Sequence, residues 1–137
     1  MGLTHLVDTS VLTRLAEPSV REVVEQLVGV GRVARAGITD LEIGYSARNE
    51  HEWDELVGAL EAFSLVETTA DHLRRARQVQ RLLAARSQRG RKIPDLLIAA
   101  AAEQEGHVVL HYDADFDLIA SVTGQPCEWV VPPGSID

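Results

Sequence analysis

Three carboxylates alternate along Asp113, Asp115 and Asp117, directly after the apolar run Val108-Val109-Leu110. Carboxylates crowded at a strand end repel one another, by roughly 4 kcal/mol per pair at about 4 Å for an effective dielectric of about 20, unless a cation sits among them. A calcium loop is one use of such spacing, but it needs Gly at its sixth position and Glu at its twelfth. Those positions hold Leu118 and Gly124, which excludes it. A second use is to cap a helix beginning near Ala114, since Asp is favoured at N-caps and first turns.

Three more acids stand where they could join this group. Asp8 follows the apolar run Leu3 to Val7, Glu42 lies in Thr39-Asp40-Leu41-Glu42, and Asp95 follows Pro94. Each has a structural alternative: Asp8 can cap the next helix, Asp95 can complement a helix dipole, and Glu42 is at capping-box spacing from Thr39. One cause would account for Asp8, Glu42, Asp95 and Asp113 together, a hard divalent cation bound by oxygen ligands. Magnesium and manganese take carboxylate oxygens, keep several waters, make one of them nucleophilic and neutralise a phosphate leaving group. Zinc is not indicated, because the histidines at 5, 51, 72, 107 and 111 form no helical ligand pair. The single Cys127 supports no disulfide or thiolate cluster and suits a core position in a reducing cytoplasm.

Positioning these acids requires strands alternating with helices. Leu3–Val7 reads as a strand, followed by a helix capped by Thr9 or Ser10 and a second helix from Pro18 to about Gly29. A weaker strand over Arg32–Ala36 precedes helices over Thr39–Arg48 and Glu50–Phe63, then a brief strand at Leu65-Val66. Thr69 or Asp71 caps a long helix to about Ser87, and Gln88–Lys92 links it to a helix with Pro94 in its first turn and Gly106 at its end. The strand at Val108, a helix to about Val122 and a last strand over Trp129–Val131 complete the chain. Such alternation predicts one domain over residues 1–137, a three-layer α/β/α sandwich with a mainly parallel central sheet. Sites in such sheets form outside the carboxyl ends of the strands, so Asp8 and Asp113 face each other if their strands are neighbours.

At 137 residues, with 45% hydrophobic and 25% charged residues, the chain reads as an ordinary soluble domain with no membrane span or export signal. Its net charge of −8 argues by itself against a nucleic-acid partner. The average conceals a segment from Arg74 to Lys92 with eight cations and no acid, so the remaining five cations and 21 acids leave −16 elsewhere. This basic stripe can be a solvated helix face or can hold a polyanion backbone.

Asp8-Thr9-Ser10, Leu41-Glu42-Ile43-Gly44, Pro94-Asp95-Leu96-Leu97-Ile98-Ala99-Ala100 and His111-Tyr112-Asp113-Ala114-Asp115-Phe116, in this order, resemble the PIN domain, and more narrowly the VapC-type ribonuclease toxins of bacterial toxin–antitoxin pairs. The resemblance spans essentially the whole chain. It implies a Mg2+- or Mn2+-dependent endoribonuclease that forms homodimers and is inhibited by a small antitoxin. It also implies an acidic site of Asp8, Glu42, Asp95 and Asp113, with Asp115 as a further metal ligand or support and Ser10 as the accompanying hydroxyl. On this reading Asp8, Asp95 and Asp113 hold the metal, Glu42 orients water, and Arg86, Arg89, Arg91 and Lys92 hold RNA. Asp117 is expected to be a solvated helix-start residue. The rival classes are a phosphomonoesterase using Asp8 as nucleophile, which lacks the usual acid at Ser10, and a non-catalytic module whose acids dock a basic peptide.

Overall fold

In the computed structural model, which describes residues 2–88 and 92–137, β1 (His5–Val7) lies at the centre of a five-stranded sheet. It is flanked by β2 (Val33–Ala36) and β4 (Val108–His111), with β3 (Ser64–Val66) and β5 (Cys127–Trp129) at the edges, in the order β3-β2-β1-β4-β5. Every pairing is parallel, so the sheet is wholly rather than mainly parallel. Because side chains alternate between faces, register decides which core each residue enters. Leu6 aligns with Ala34 and Val109 and faces one cluster, while Val7 aligns with Leu110 and faces the other.

The first face is covered by α5 (Ala70–Ala85), α6 (Ile93–Glu105) and α7 (Asp115–Thr123). Buried small residues, Ala99 to Ala102, let α6 lie close to the sheet, and Gly106 ends it at φ 72°, a left-handed conformation that favours glycine. The second face is covered by α1 (Thr9–Leu12) and α2 (Pro18–Gly29), through Val11, Val20 and Val24. Two further helices, α3 (Gly37–Gly44) and α4 (Glu50–Gly58), follow β2 at the carboxyl end of the sheet, and α4 tightens into a 3-10 turn over Ala59–Ala62 before β3. Cys127 is half-buried against the first core, and burial pushes its thiol up to about 12.

Several boundaries differ from the sequence expectation. Helix α3 starts at Gly37 and stops at Gly44, because Thr39 is not its cap but a fully buried residue inside it. The long helix α5 is capped by Thr69 as expected, with His72 completing a reciprocal capping box. The last strand is Cys127–Trp129 rather than Trp129–Val131. Val130 and Val131 are apolar because they pack into the second core beyond it. Among the described residues, no helix is long and apolar enough to cross a membrane.

Candidate active site

Strands β1 and β4 are neighbours, and the backbone N–H of Asp8 extends their ladder by donating to the Leu110 carbonyl at 2.8 Å. Their carboxyl ends therefore deliver Asp8 and Asp113 to one place. Asp8, not Thr9 or Ser10, caps α1: its Oδ2 accepts from the Ser10 N–H at 3.0 Å. The capping alternative thus holds for one oxygen only. Oδ1 is buried with no hydrogen-bond partner among the described residues. Ser10 is released to join the two strand ends, its Oγ accepting from the Tyr112 N–H at 2.9 Å.

Asp95 enters from the first turn of α6, where Pro94 sets the helix start, and is 4% exposed. Its Oδ2 is likewise buried and unpartnered. Burial above all, then the charges of Asp8 and Asp113, pushes its carboxyl up to about 8, against a smaller opposing pull from Lys92. Burial also raises Asp8, opposed by its Ser10 hydrogen bonds and reinforced by Glu42 and Asp113.

Glu42 comes from α3, where the capping-box alternative fails. The helix has already begun two residues before Thr39, and Glu42 Oε1 instead accepts from the Thr9 hydroxyl at 2.7 Å. Asp113 Oδ1 accepts from the Asp115 N–H at 2.9 Å, and Oδ2 pairs with Lys92 Nζ at 3.1 Å. Asp113 in turn holds the Lys92 ammonium above its ordinary value. Behind this turn the buried His111 ring accepts the Asp113 N–H at Nδ1 and packs between Phe116 and Trp129. Burial lowers its pKa, keeping it a neutral acceptor. Asp117 is exposed as expected, although its carboxylate accepts from Trp129 Nε1.

Asp8, Glu42, Asp95, Asp113 and Ser10 line a single cavity of about 380 Å³, together with Thr9, Arg14, Lys92 and Tyr112. Carboxylate oxygens of Asp95, Asp113 and Asp115 all lie within 4.8 Å of one another. These residues fit a hard divalent cation: every donor is an oxygen, two buried oxygens have no partner among the described residues, and several acids share a small volume.

The basic stripe is more compensated in space than along the chain. Arg74 pairs with Asp71, Arg75 with Glu103 at 2.6 Å, and Lys92 with Asp113. Arg86 reaches the Ser121 carbonyl at 3.5 Å. Arg77 and Arg81 remain on an exposed groove of α5. Arg89 and Arg91 lie outside the described residues. Lys92, expected on the flank, is in the cavity itself. Three contributors have roles that the sequence does not specify: Thr9 reads there as a cap within the Asp8-Thr9-Ser10 motif, His111 only as a member of the motif around Asp113, and Arg14 not at all, since their partners are distant in sequence or made by tertiary packing.

A family model for the PIN domain matches residues 5–122. The chain is 69% identical to Ribonuclease VapC51 of Mycobacterium tuberculosis over 100% of both proteins, and 44% identical to Ribonuclease VapC21 of the same species over 98% of this chain and 99% of that one. Its fold also matches the crystal structure of DNA-bound VapBC from Salmonella typhimurium, with a TM-score of 0.77 at 19% identity, covering 94% of this chain and 99% of that chain.

Proposed function

This chain belongs to the PIN domain family, and from that premise we propose that it is a divalent-metal-dependent endoribonuclease, the toxin of a toxin–antitoxin pair acting in the cytoplasm. The observation that carries the reading is the pair of buried carboxylate oxygens that have no hydrogen-bond partner among the described residues, Asp8 Oδ1 and Asp95 Oδ2, in one cavity with Asp113 and Glu42. Asp8, Asp95, Asp113 and Asp115 would hold Mg2+ or Mn2+, which supplies a water of lowered pKa and neutralises charge on the phosphate. Glu42, anchored by the Thr9 hydroxyl, orients the attacking water and accepts its proton. Ser10 keeps the ends of β1 and β4 in register, so that Asp8 and Asp113 face the same atoms. His111 fixes the backbone that presents Asp113.

An acidic cavity repels RNA, so cations must meet the flanking backbone. Arg75 lies against Glu103, placing the start of α5 beside the end of α6. The basic end of α5, with Arg86, therefore points toward the start of α6, where Lys92 and Asp95 stand. Arg86 and Lys92 are assigned to RNA on this basis, and Arg89 and Arg91, which lie outside the described residues, are assigned with them from the sequence run alone. A small antitoxin is the inhibitory partner, and a second copy of the chain completes a homodimer.

The test is incubation of antitoxin-free protein with structured RNAs in Mg2+ or Mn2+, beside chelator and Asp95→Asn controls. Metal-dependent cleavage lost in the variant is the expected result. A folded, metal-binding protein that cleaves no RNA would transfer support to the peptide-docking module.

A further inference from the structure

Among the residues lining the acidic cavity, Arg14 has no part in the site described so far. Apart from Asp137 its guanidinium has three contacts: Nη1 donates to the Ser10 carbonyl at 2.8 Å and to the Thr13 hydroxyl at 3.4 Å, and the group sits 4.9 Å over the Tyr112 ring. Ser10 and Tyr112 belong to the strand-end assembly that places Asp8 and Asp113. On its outer side, Nε and Nη2 form a fork on the Asp137 carboxylate at 3.1 and 2.9 Å. Arg14 is thus preorganised at the wall of the cavity, and the edge that binds planar or tetrahedral oxyanions is engaged by an exposed carboxylate.

Asp137 is not required to hold the segment that carries it. Tyr112 Oη accepts from the N–H of Gly134 at 2.9 Å and of Ile136 at 3.5 Å, and Ile136 packs against the second core. The tail therefore stays docked when the carboxylate lets go. The Asp137 side of this pair is exposed and screened by salt, so a backbone phosphate, whose neighbouring charges in a polyanion add to its pull, can displace the carboxylate.

We propose that Arg14 is a substrate-binding residue that grips an RNA backbone phosphate next to the scissile one, and that Asp137 occupies this phosphate position in the free protein. This rests on the nuclease reading for the identity of the ligand, and it adds to Lys92 a second cation among the residues lining the cavity. The consequence is an RNA backbone held at the wall of the cavity itself, with Asp137 as an internal competitor.

The experiment uses Arg14→Gln, Arg14→Lys and Asp137→Asn in the full chain. The readouts are KM and kcat for RNA cleavage, and salt-dependent binding of a fluorescent single-stranded RNA measured in an Asp95→Asn background. Arg14→Gln should raise KM and the RNA Kd about tenfold with kcat little changed, and flatten the salt slope by about 0.7, the value for one lost single-strand phosphate contact. Asp137→Asn should move the same quantities the opposite way, lowering KM and Kd a few-fold, and Arg14→Lys should fall between. A purely structural clasp would make Arg14→Gln and Asp137→Asn weaken binding alike, which overturns the proposal. Unchanged KM, Kd and salt slope in Arg14→Gln overturns it too, while wild-type cleavage leaves the nuclease reading standing. Arg14-dependent binding without cleavage would uphold the phosphate contact and remove the nuclease reading instead.

Discussion

Asp95→Asn should make the metal-free protein more stable at neutral and alkaline pH while abolishing its activity. Burial and the charges of Asp8 and Asp113 push the Asp95 carboxyl from 3.8 in the unfolded chain to about 8 in the folded one. Between those values the folded state binds more protons than the unfolded state, so stability falls as pH rises and the full loss is reached above about pH 8. At 1.36 kcal/mol per pKa unit, the three units between 3.8 and pH 7 set a ceiling of roughly 4 kcal/mol. Water entry and side-chain relaxation reduce this to about 2 kcal/mol, which displaces a urea midpoint by roughly 1 M. Asparagine keeps the shape without the charge, and its amide can donate to the neighbouring carboxylates. Urea melts of both proteins in chelator from pH 4 to 8.5 should therefore coincide near pH 4 and diverge steadily above it, with the variant higher. Adding Mn2+ should stabilise the parent and leave the variant nearly unmoved, because ligand binding to the folded state alone raises its stability. Coincident melts across the whole range, or a variant less stable at pH 8, would refute the account of Asp95 as a site strained in favour of a cation.

Three other perturbations probe neighbouring parts of the site. Lys92→Met removes the ammonium paired with Asp113 at 3.1 Å; an exposed pair of this type contributes about 0.2–1 kcal/mol, so calorimetry should find Mn2+ bound about 1.4- to 5-fold more tightly, and weaker binding would show that Lys92 supports the metal site. Thr9→Val deletes the hydroxyl that holds Glu42; losing a hydrogen bond to a charged group costs about 1.5–3 kcal/mol of stability, so the urea midpoint should drop by roughly 1 M and kcat should fall in the folded protein because Glu42 is no longer held, and an unaltered kcat would release Glu42 from its assigned role. Phe116→Ala empties a fully buried position against His111 and should cost about 3–5 kcal/mol in urea unfolding, with a loss below 1 kcal/mol indicating that the turn carrying Asp113 is not built on this ring.

The parts of the fold that were legible in the sequence are those in which a local pattern has one physical outcome. Pro18 and Pro94 open helices, Gly106 closes one, and Thr69 caps another, because each acts through its own backbone geometry. The acids Asp8, Glu42, Asp95 and Asp113 were legible as a group because strand ends and helix starts of a parallel sheet converge on one edge. Apolar runs were less informative at their margins. Val130 and Val131 have the composition of a strand, yet the ladder to β4 ends at Trp129, and burial in a core requires only that a residue be apolar.

What escaped prediction depends on partners distant in sequence. Thr9 looks like a helix cap until Asp8 takes that position, and it then bonds Glu42, 33 residues away. Arg14 and Asp137 are separated by 123 residues and meet because the Tyr112 hydroxyl and the packing of Ile136 dock the segment that carries Asp137. Lys92 reads as the end of a basic run, yet its ammonium turns inward to Asp113. In each case the sequence specifies a charge or a hydroxyl, and the fold selects its partner. The selection has a common direction: Thr9, Lys92 and Arg14 place a hydroxyl or a positive charge around a cavity whose acids would otherwise face only one another. The carboxylates Asp8 and Asp95 nonetheless retain buried oxygens that none of these groups reaches. Elsewhere in this chain Arg35 meets Asp40 at two points, whereas no cation meets these two oxygens among the described residues. That residual imbalance, concentrated where β1 and β4 end, is the physical reason for locating metal-dependent chemistry there.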